Sequence, residues 1–383
     1  MNQNHTVVQL NQLSLPAFIY DEQIILNTLA RLSEIKNKAD CKLFFAIKSC
    51  GLGRLLELCQ PIVDGYAASS LFEAQWIQEI VGTLAEIHIT APAYTAHEMQ
   101  QIMEICSSIS FNSVNQFTTY AHLKEHHHFK NYLRINPQIS AVEDVRYDPC
   151  ATASKLGVPL NSLNNTFDCH WLDGIQIHTN CDSDNYAALW QTALELDKKI
   201  PYLLEKITAI NLGGGYLFSE GADLTLFYKT VELFKDKYGL EVIIEPGAAI
   251  SREAGNLVVT VLDMFTVDNS NIAIISGSVN HLPEVFEYQY HHPLHEETEH
   301  GNYVYKIAGP TCLAGDQFGI YHFDKPLQIG DILTFTDCGS YSLVKAHMFN
   351  GINLPSIYTC DTKGNLKLQR QFDYADFRGR WTK

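Results

Sequence analysis

The chain has 383 residues, 46% hydrophobic and 18% charged, and a net charge of −16. This composition excludes a disordered chain and supplies enough apolar residues for one large domain plus a second. The acidic balance argues against nucleic acid or an anionic membrane as partner and suits a small cationic molecule, although ordinary acidic solubility accounts for it as well.

The first residues, MNQNHTVVQLNQLSLPAF, hold no basic segment and no long apolar run, so no signal peptide is expected. No stretch is apolar for long enough to span a bilayer. These features predict a soluble, cytoplasmic protein. Residues 6–21, TVVQLNQLSLPAFIYD, look extended and predict a strand that joins the C-terminal part of the chain. Ten cysteines are scattered from Cys41 to Cys360 without a C-x-x-C pair, which predicts reduced thiols and no structural zinc.

From Leu43 onward a unit recurs: a short apolar run, then an amphipathic helical stretch. The runs are LFFAI (from Leu43), DGYAA (Asp64), EIHIT (Glu86), SISFN (Ser108), YLRIN (Tyr132), GIQIHT (Gly174), AINLGG (Ala209) and EVIIEPG (Glu241). Eight strands buried on both faces and alternating with helices predict an α/β fold, a (β/α)8 TIM barrel over residues 20–250. The first runs start 21 to 24 residues apart, and the sixth follows the fifth by 42. The extra residues include YDPCATASKLGVP, expected as a loop on the face that carries chemistry.

Reacting groups in such barrels sit at the C-terminal ends of strands. There the runs place Lys48, His178, the glycines Gly213, Gly214 and Gly215, and Glu245. A desolvated lysine becomes a nucleophilic amine that forms Schiff bases with aldehydes, whereas a surface lysine would only snorkel. A triple-glycine turn after a strand suits a small phosphate, with its N–H groups pointing inward, or is simply a flexible turn. G-x-G-x-x-G is absent, which disfavours a dinucleotide. Pyridoxal 5'-phosphate satisfies both the lysine and the turn. A carboxylate such as Glu245 would keep its ring nitrogen protonated, and His178 would lie beside the ring or act as a hydrogen-bonded core histidine. The triplet His126–His128 resembles a metal motif. Adjacent histidines on a helix point in different directions, so it is read as surface, with no metal.

Beyond residue 250 the pattern becomes β-rich, with NLVVTVLDMFT, IAIISGSV, NYVYKIAGPTC, DILTFTDCGSYS and SIYTCDTKGNLKLQ. This predicts a C-terminal all-β domain of residues 251–383 joined by 1–19.

The ordered motifs FFAIKS, IHTN, LGGGY, EPG, GPTCLAGD and CGSYS…FNG resemble fold-type III pyridoxal-phosphate decarboxylases. These are the alanine-racemase-like ornithine, diaminopimelate and carboxynorspermidine decarboxylases. YDPCATASKLG, NHLPEVFEYQY, CLAGDQFG and FNGINLPSIY are most similar to the carboxynorspermidine/carboxyspermidine branch. The resemblance implies that Lys48 holds the cofactor and that His178 stacks on its ring. It implies that Glu245 faces the ring nitrogen, that Gly213–Gly215 and Tyr341 bind phosphate, and that Gly247 belongs to the same cofactor site. Cys312 would protonate the α-carbon and Asp316 would meet the substrate's distal amine, both supplied by the second subunit of a homodimer. His281 and Glu284 lie in a segment that replaces the helix by which relatives read the distal end of the substrate, and would contact its amine chain. The alternative for that segment is packing on the barrel rim.

Ala248 stands where several relatives carry an arginine after Glu-Pro-Gly, which speaks against the second carboxylate of diaminopimelate. The expected reaction is decarboxylation of carboxynorspermidine or carboxyspermidine in polyamine biosynthesis. The alternatives are decarboxylation of another basic amino acid, such as ornithine or lysine, racemisation, or an inactive regulatory homologue.

Overall fold

The structure is a computed structural model that describes residues 13–382. The chain divides into two compact units. Thr28–Ala249 form one, and Ile250 onward joins the described residues up to Asn27 to form the other. The sequence pattern puts these divisions at 19/20 and 250/251. Residues 6–12 of the expected N-terminal strand lie outside the described residues, whereas Ala17–Asp21 form strand β1.

In the first unit, each apolar run becomes a parallel strand. These are β2 (Lys42–Ala46), β3 (Gly65–Ala68), β4 (Ile87–Thr90), β5 (Ser108–Phe111), β6 (Lys130–Asn136), β7 (Gly174–Gln176), β8 (Ala209–Asn211) and β9 (Glu241–Ile244). The order β5-β4-β3-β2-β9-β8-β7-β6, with β5 paired to β6, closes the barrel. Helix starts are written locally. Thr95 and Glu98 form a reciprocal cap on Ala96–Ile105, and Ser70 and Ser113 cap Leu71–Val81 and Val114–Tyr120.

Side chains two apart on a strand share a face. Phe44, Tyr132, Ala209 and Ile243 form one buried cluster across the ring, so their parity faces the barrel axis. Gly174 leaves room for this layer, since a Cβ there would lie 2.4 Å from the Tyr132 ring. Two residues towards the N-terminal ends, the same parity gives Lys42, Lys130 and Glu241. Two residues towards the C-terminal ends it gives Thr90, Ser110, Arg134, Gln176, Asn211 and Glu245. The barrel interior is therefore layered: charged, apolar, then polar at the mouth.

The long insertion after β6 packs on the mouth side. Its Val158–Pro159 pair with Ile135 and Asn136, and the Cys150 thiol donates to the His178 carbonyl at 3.1 Å. His126–His128 lie just beyond the short helical turn Ala121–Glu125 rather than on a helix. No metal-binding group of three His, Cys, Asp or Glu side chains occurs among the described residues.

The second unit is a mostly antiparallel sheet. Its further strands are β10 (Gly255–Val267), β11 (Ser270–Ile275), β12 (Tyr303–Ala308), β13 (Gln317–Phe323), β14 (Ile332–Phe335), β15 (Ser356–Cys360) and β16 (Leu366–Arg370). They run β13-β12-β11-β10-β1-β15-β16, with β14 on β10. Strand β1 is central, antiparallel to β10 and parallel to β15. Ala17, Ile19, Val258, Tyr358 and Cys360 pack as its core.

Candidate active site

Lys48 follows β2 on a single helical turn, Ile47–Ser49. Gly247 packs on that turn: a Cβ there would lie 2.9 Å from Ser49 Oγ and 3.0 Å from the Ala46 carbonyl. The Lys48 side chain keeps solvent-accessible surface, as a group on the floor of an open mouth does. The surrounding protein still removes enough water to lower its pKa below 10.5. Arg134 pushes it further down, and Glu245 opposes both. Neither Lys48 nor Arg134 takes part in an ion pair among the described residues.

Glu245 is 8% exposed and held at both oxygens. Asn211 Nδ2 donates to Oε1 at 2.7 Å, and Gln176 Nε2 donates to Oε2 at 3.2 Å. Thr90 Oγ1 in turn donates to Gln176 Oε1 at 3.0 Å, which fixes that amide. His88 lies below, fully buried, with its ring nitrogens 2.6 and 3.1 Å from the Ser108 and Ser110 hydroxyls and its Nε2 3.9 Å from Glu245. Burial lowers the pKa of His88 although Glu245 raises it.

The glycine turn is dictated by contact. Gly213 and Gly215 have φ of +72° and +84°. A Cβ on Gly213, Gly214 or Gly215 would lie 2.4, 2.1 or 2.1 Å from the carbonyls of Ile177, Glu245 and Asn180, respectively. Two of the three N–H groups of the turn are used internally. Gly213 N–H donates to Asn211 Oδ1 at 2.8 Å, and Gly214 N–H donates to His178 Nδ1 at 3.1 Å. Only the Gly215 N–H has no partner among the described residues. His178 is kept neutral: burial, Lys48 and Arg134 drive its pKa well below 6.5. A neutral ring that accepts at Nδ1 carries its proton on Nε2.

In the β-rich unit, Cys312 is exposed on the segment between β12 and β13. Asp316, expected to meet the substrate's distal amine, is bonded within its own unit. It is 2% exposed and accepts from Val279 N at 2.8 Å, Ser278 Oγ at 3.0 Å, and Thr311 N and Oγ1 at 3.1 and 2.6 Å. These bonds brace the loop that carries Cys312. His281 is likewise a core group. Its Nδ1 accepts from Ser278 N, its Nε2 donates to the Asn353 carbonyl, and burial lowers its pKa to about 4. Glu284 is 5% exposed, with Oε1 bonded to His292 and Ser342. Glu284 lies on the short helix Pro283–Tyr288, and its Oε2 is buried with no hydrogen-bond partner among the described residues. Tyr341 lies at the start of the short helix Ser342–Lys345, in a left-handed conformation with φ of +64°.

Arg134, Gln176, Asn211 and His88 join the site without having been expected there. Each stands inside one of the apolar runs, where a polar side chain among apolar neighbours is the signal.

The family described as "Pyridoxal-dependent decarboxylase, C-terminal sheet domain" matches residues 17–339. The chain belongs to this family. It is an enzyme, a carboxy-lyase, and its cofactor is pyridoxal 5'-phosphate. The site fits that cofactor: a lysine amine of lowered pKa, a carboxylate held at both oxygens, and a turn that any Cβ would fill. The chain is 33% identical to the carboxyaminopropylagmatine decarboxylase of Synechocystis sp., over 97% of this chain and 96% of that protein. It is 30% identical to the carboxynorspermidine/carboxyspermidine decarboxylase of Herminiimonas arsenicoxydans, over 95% and 98%. The crystal structure of carboxynorspermidine decarboxylase complexed with norspermidine from Campylobacter jejuni superposes with a TM-score of 0.87 at 28% identity, covering 96% of this chain and all of that one. No helix among the described residues is long and apolar enough to cross a membrane.

Proposed function

We propose that this decarboxylase removes CO2 from a carboxylated polyamine, carboxynorspermidine or carboxyspermidine, as a step of polyamine biosynthesis. The observation that carries the reading is full-length similarity to decarboxylases named for such substrates, on a barrel whose mouth holds Lys48, His178 and Glu245. The relative of Synechocystis favours a second substrate of the same kind, carboxyaminopropylagmatine, whose far end is a guanidinium rather than an amine.

Bound pyridoxal phosphate supplies an aldehyde for Lys48 and an electron sink for the pair left when CO2 departs. The protein's part is electrostatic and positional. Arg134 and the loss of water favour the neutral, nucleophilic form of Lys48. Neutral His178 would present a flat, uncharged face to the cofactor ring. Asn211 and Gln176 hold Glu245, which would keep the ring nitrogen protonated. Gly215, Gly247 and Tyr341 are assigned to cofactor binding, Gly215 and Tyr341 at the phosphate. Cys312, an exposed thiol, holds the proton for the α-carbon and is supplied by a second copy of the chain in a cytoplasmic homodimer. Ten free thiols suit a reducing compartment.

The test is CO2 release from carboxynorspermidine, carboxyspermidine, carboxyaminopropylagmatine, ornithine, lysine and diaminopimelate, each with pyridoxal phosphate. Turnover confined to the first three is expected. Preference for ornithine, lysine or diaminopimelate would overturn the substrate.

A further inference from the structure

Asn211 is fully buried and uses both ends of its amide. Nδ2 donates to Glu245 Oε1 at 2.7 Å, and Oδ1 accepts from the Gly213 N–H at 2.8 Å. Only one orientation of the amide satisfies both neighbours, because a carboxylate can only accept and an N–H can only donate. The backbone repeats the link: Glu245 N–H donates to the Gly213 carbonyl at 2.8 Å. A Cβ on Gly214 would fall 2.1 Å from the Glu245 carbonyl, so the turn and the residue after β9 touch directly. Gln176 differs, since it anchors Glu245 but bonds to Thr90 rather than to the turn.

We infer that Asn211 is a positioning residue that couples the two ends of the cofactor site, setting the carboxylate for the ring nitrogen and the turn for the phosphate in one register. The inference rests on the proposed roles of Glu245 and of the glycine turn. With the Gly213 N–H turned back onto Asn211, the turn is ordered and the Gly215 N–H is the donor left for an anion. Loss of the Asn211 side chain releases that order and frees one oxygen of Glu245 at the same time.

The experiment compares equilibrium binding of pyridoxal and pyridoxal phosphate to the full-length protein, followed by visible absorbance. The ratio of the two dissociation constants isolates the phosphate's contribution. Asn211→Ala is expected to weaken pyridoxal about tenfold and to lower the ratio about tenfold as well. Asn211→Asp keeps the acceptor for Gly213 but sets a second carboxyl against Glu245. It should weaken pyridoxal and leave the ratio within about twofold, as should Gln176→Leu. An unchanged ratio in Asn211→Ala would overturn the coupling, and so would an equal fall of the ratio in Asn211→Asp. Failure of the underlying roles reads differently. Glu245→Gln binding pyridoxal like the wild type would remove the ring-nitrogen role. A wild type that binds both ligands alike would remove the phosphate role. Either result takes the coupling with it.

Discussion

The two polar layers of the barrel interior share a strand parity and differ in how their charges are paired. At the N-terminal end, Lys42 lies 3.3 Å from Glu86 and 3.1 Å from Glu241, and Lys130 lies 3.7 Å from Glu241. Burial pulls the Lys42 pKa down, but the bonds to Glu241 and Glu86 raise it above 10.5 overall. At the mouth, Arg134 and Lys48 have no ion-pair partner among the described residues, and both pKa values are lowered, first by burial. Glu245 is bound there by amides rather than by a cation. Paired charges close the lower end and stabilise it. Unpaired charges at the upper end are a cost to folding that leaves them available to a ligand.

The comparison can be broken at the mouth first. Lys48→Ala should cut CO2 release by ~10³-fold or more and abolish the visible absorbance of the holoenzyme. Retained absorbance would move the reacting amine elsewhere. Arg134→Met should lower activity by about tenfold to a hundredfold, yet raise or preserve the unfolding temperature of the apoprotein, because it removes an unpaired cation. A loss of stability like that of a broken ion pair would put Arg134 in the same class as Lys42.

The next effect is a pH dependence. His178, His88 and His281 all have folded-state pKa values below 6.5, and burial is the largest cause in each case. The unfolded chain therefore takes up more protons below that pH. Stability is present in full above about pH 6.5 and falls as the pH drops towards 4. Chemical denaturation between pH 8 and 4.5 should show this slope, and His281→Asn should flatten it. A stability independent of pH over that range would contradict buried neutral histidines. The smallest effect lies at the closed end. Lys42→Met should cost about 1 kcal/mol, since the pair is partly exposed, and leave turnover per folded molecule unchanged. Because the Lys42 pKa is raised, this contribution should hold through neutrality and disappear only above about pH 10.5.

Position along the strands is legible in the amino-acid sequence. Lys48, His178, Gly213 and Glu245 stand at or just past the ends of the apolar runs, and a parallel barrel sends every such end to one face. Asn211, Gln176, Arg134 and His88 show in the sequence only as polar residues among apolar neighbours. Each stands within a strand, and whether it points to the axis or to the helices depends on the register of the closed ring. The β-rich unit adds burial and bonding that spacing does not state: Asp316, His281 and Glu284 are buried, and their bonds to Ser278, Asn353 and Ser342 cross 38, 72 and 58 residues.

The sequence by itself determined the alternation of strand and helix, the β-rich second unit, and the place of Lys48 at a strand end. These follow from local periodicity, which burial on a sheet or helix face imposes on neighbouring residues. Only the tertiary structure decided which polar side chains hold Glu245, which N–H groups of the glycine turn remain free, and which charged residues of the β-rich unit are buried. Those depend on contacts between residues far apart in the chain, and a hydrogen bond is set by distance and direction in the closed barrel, not by spacing in the sequence.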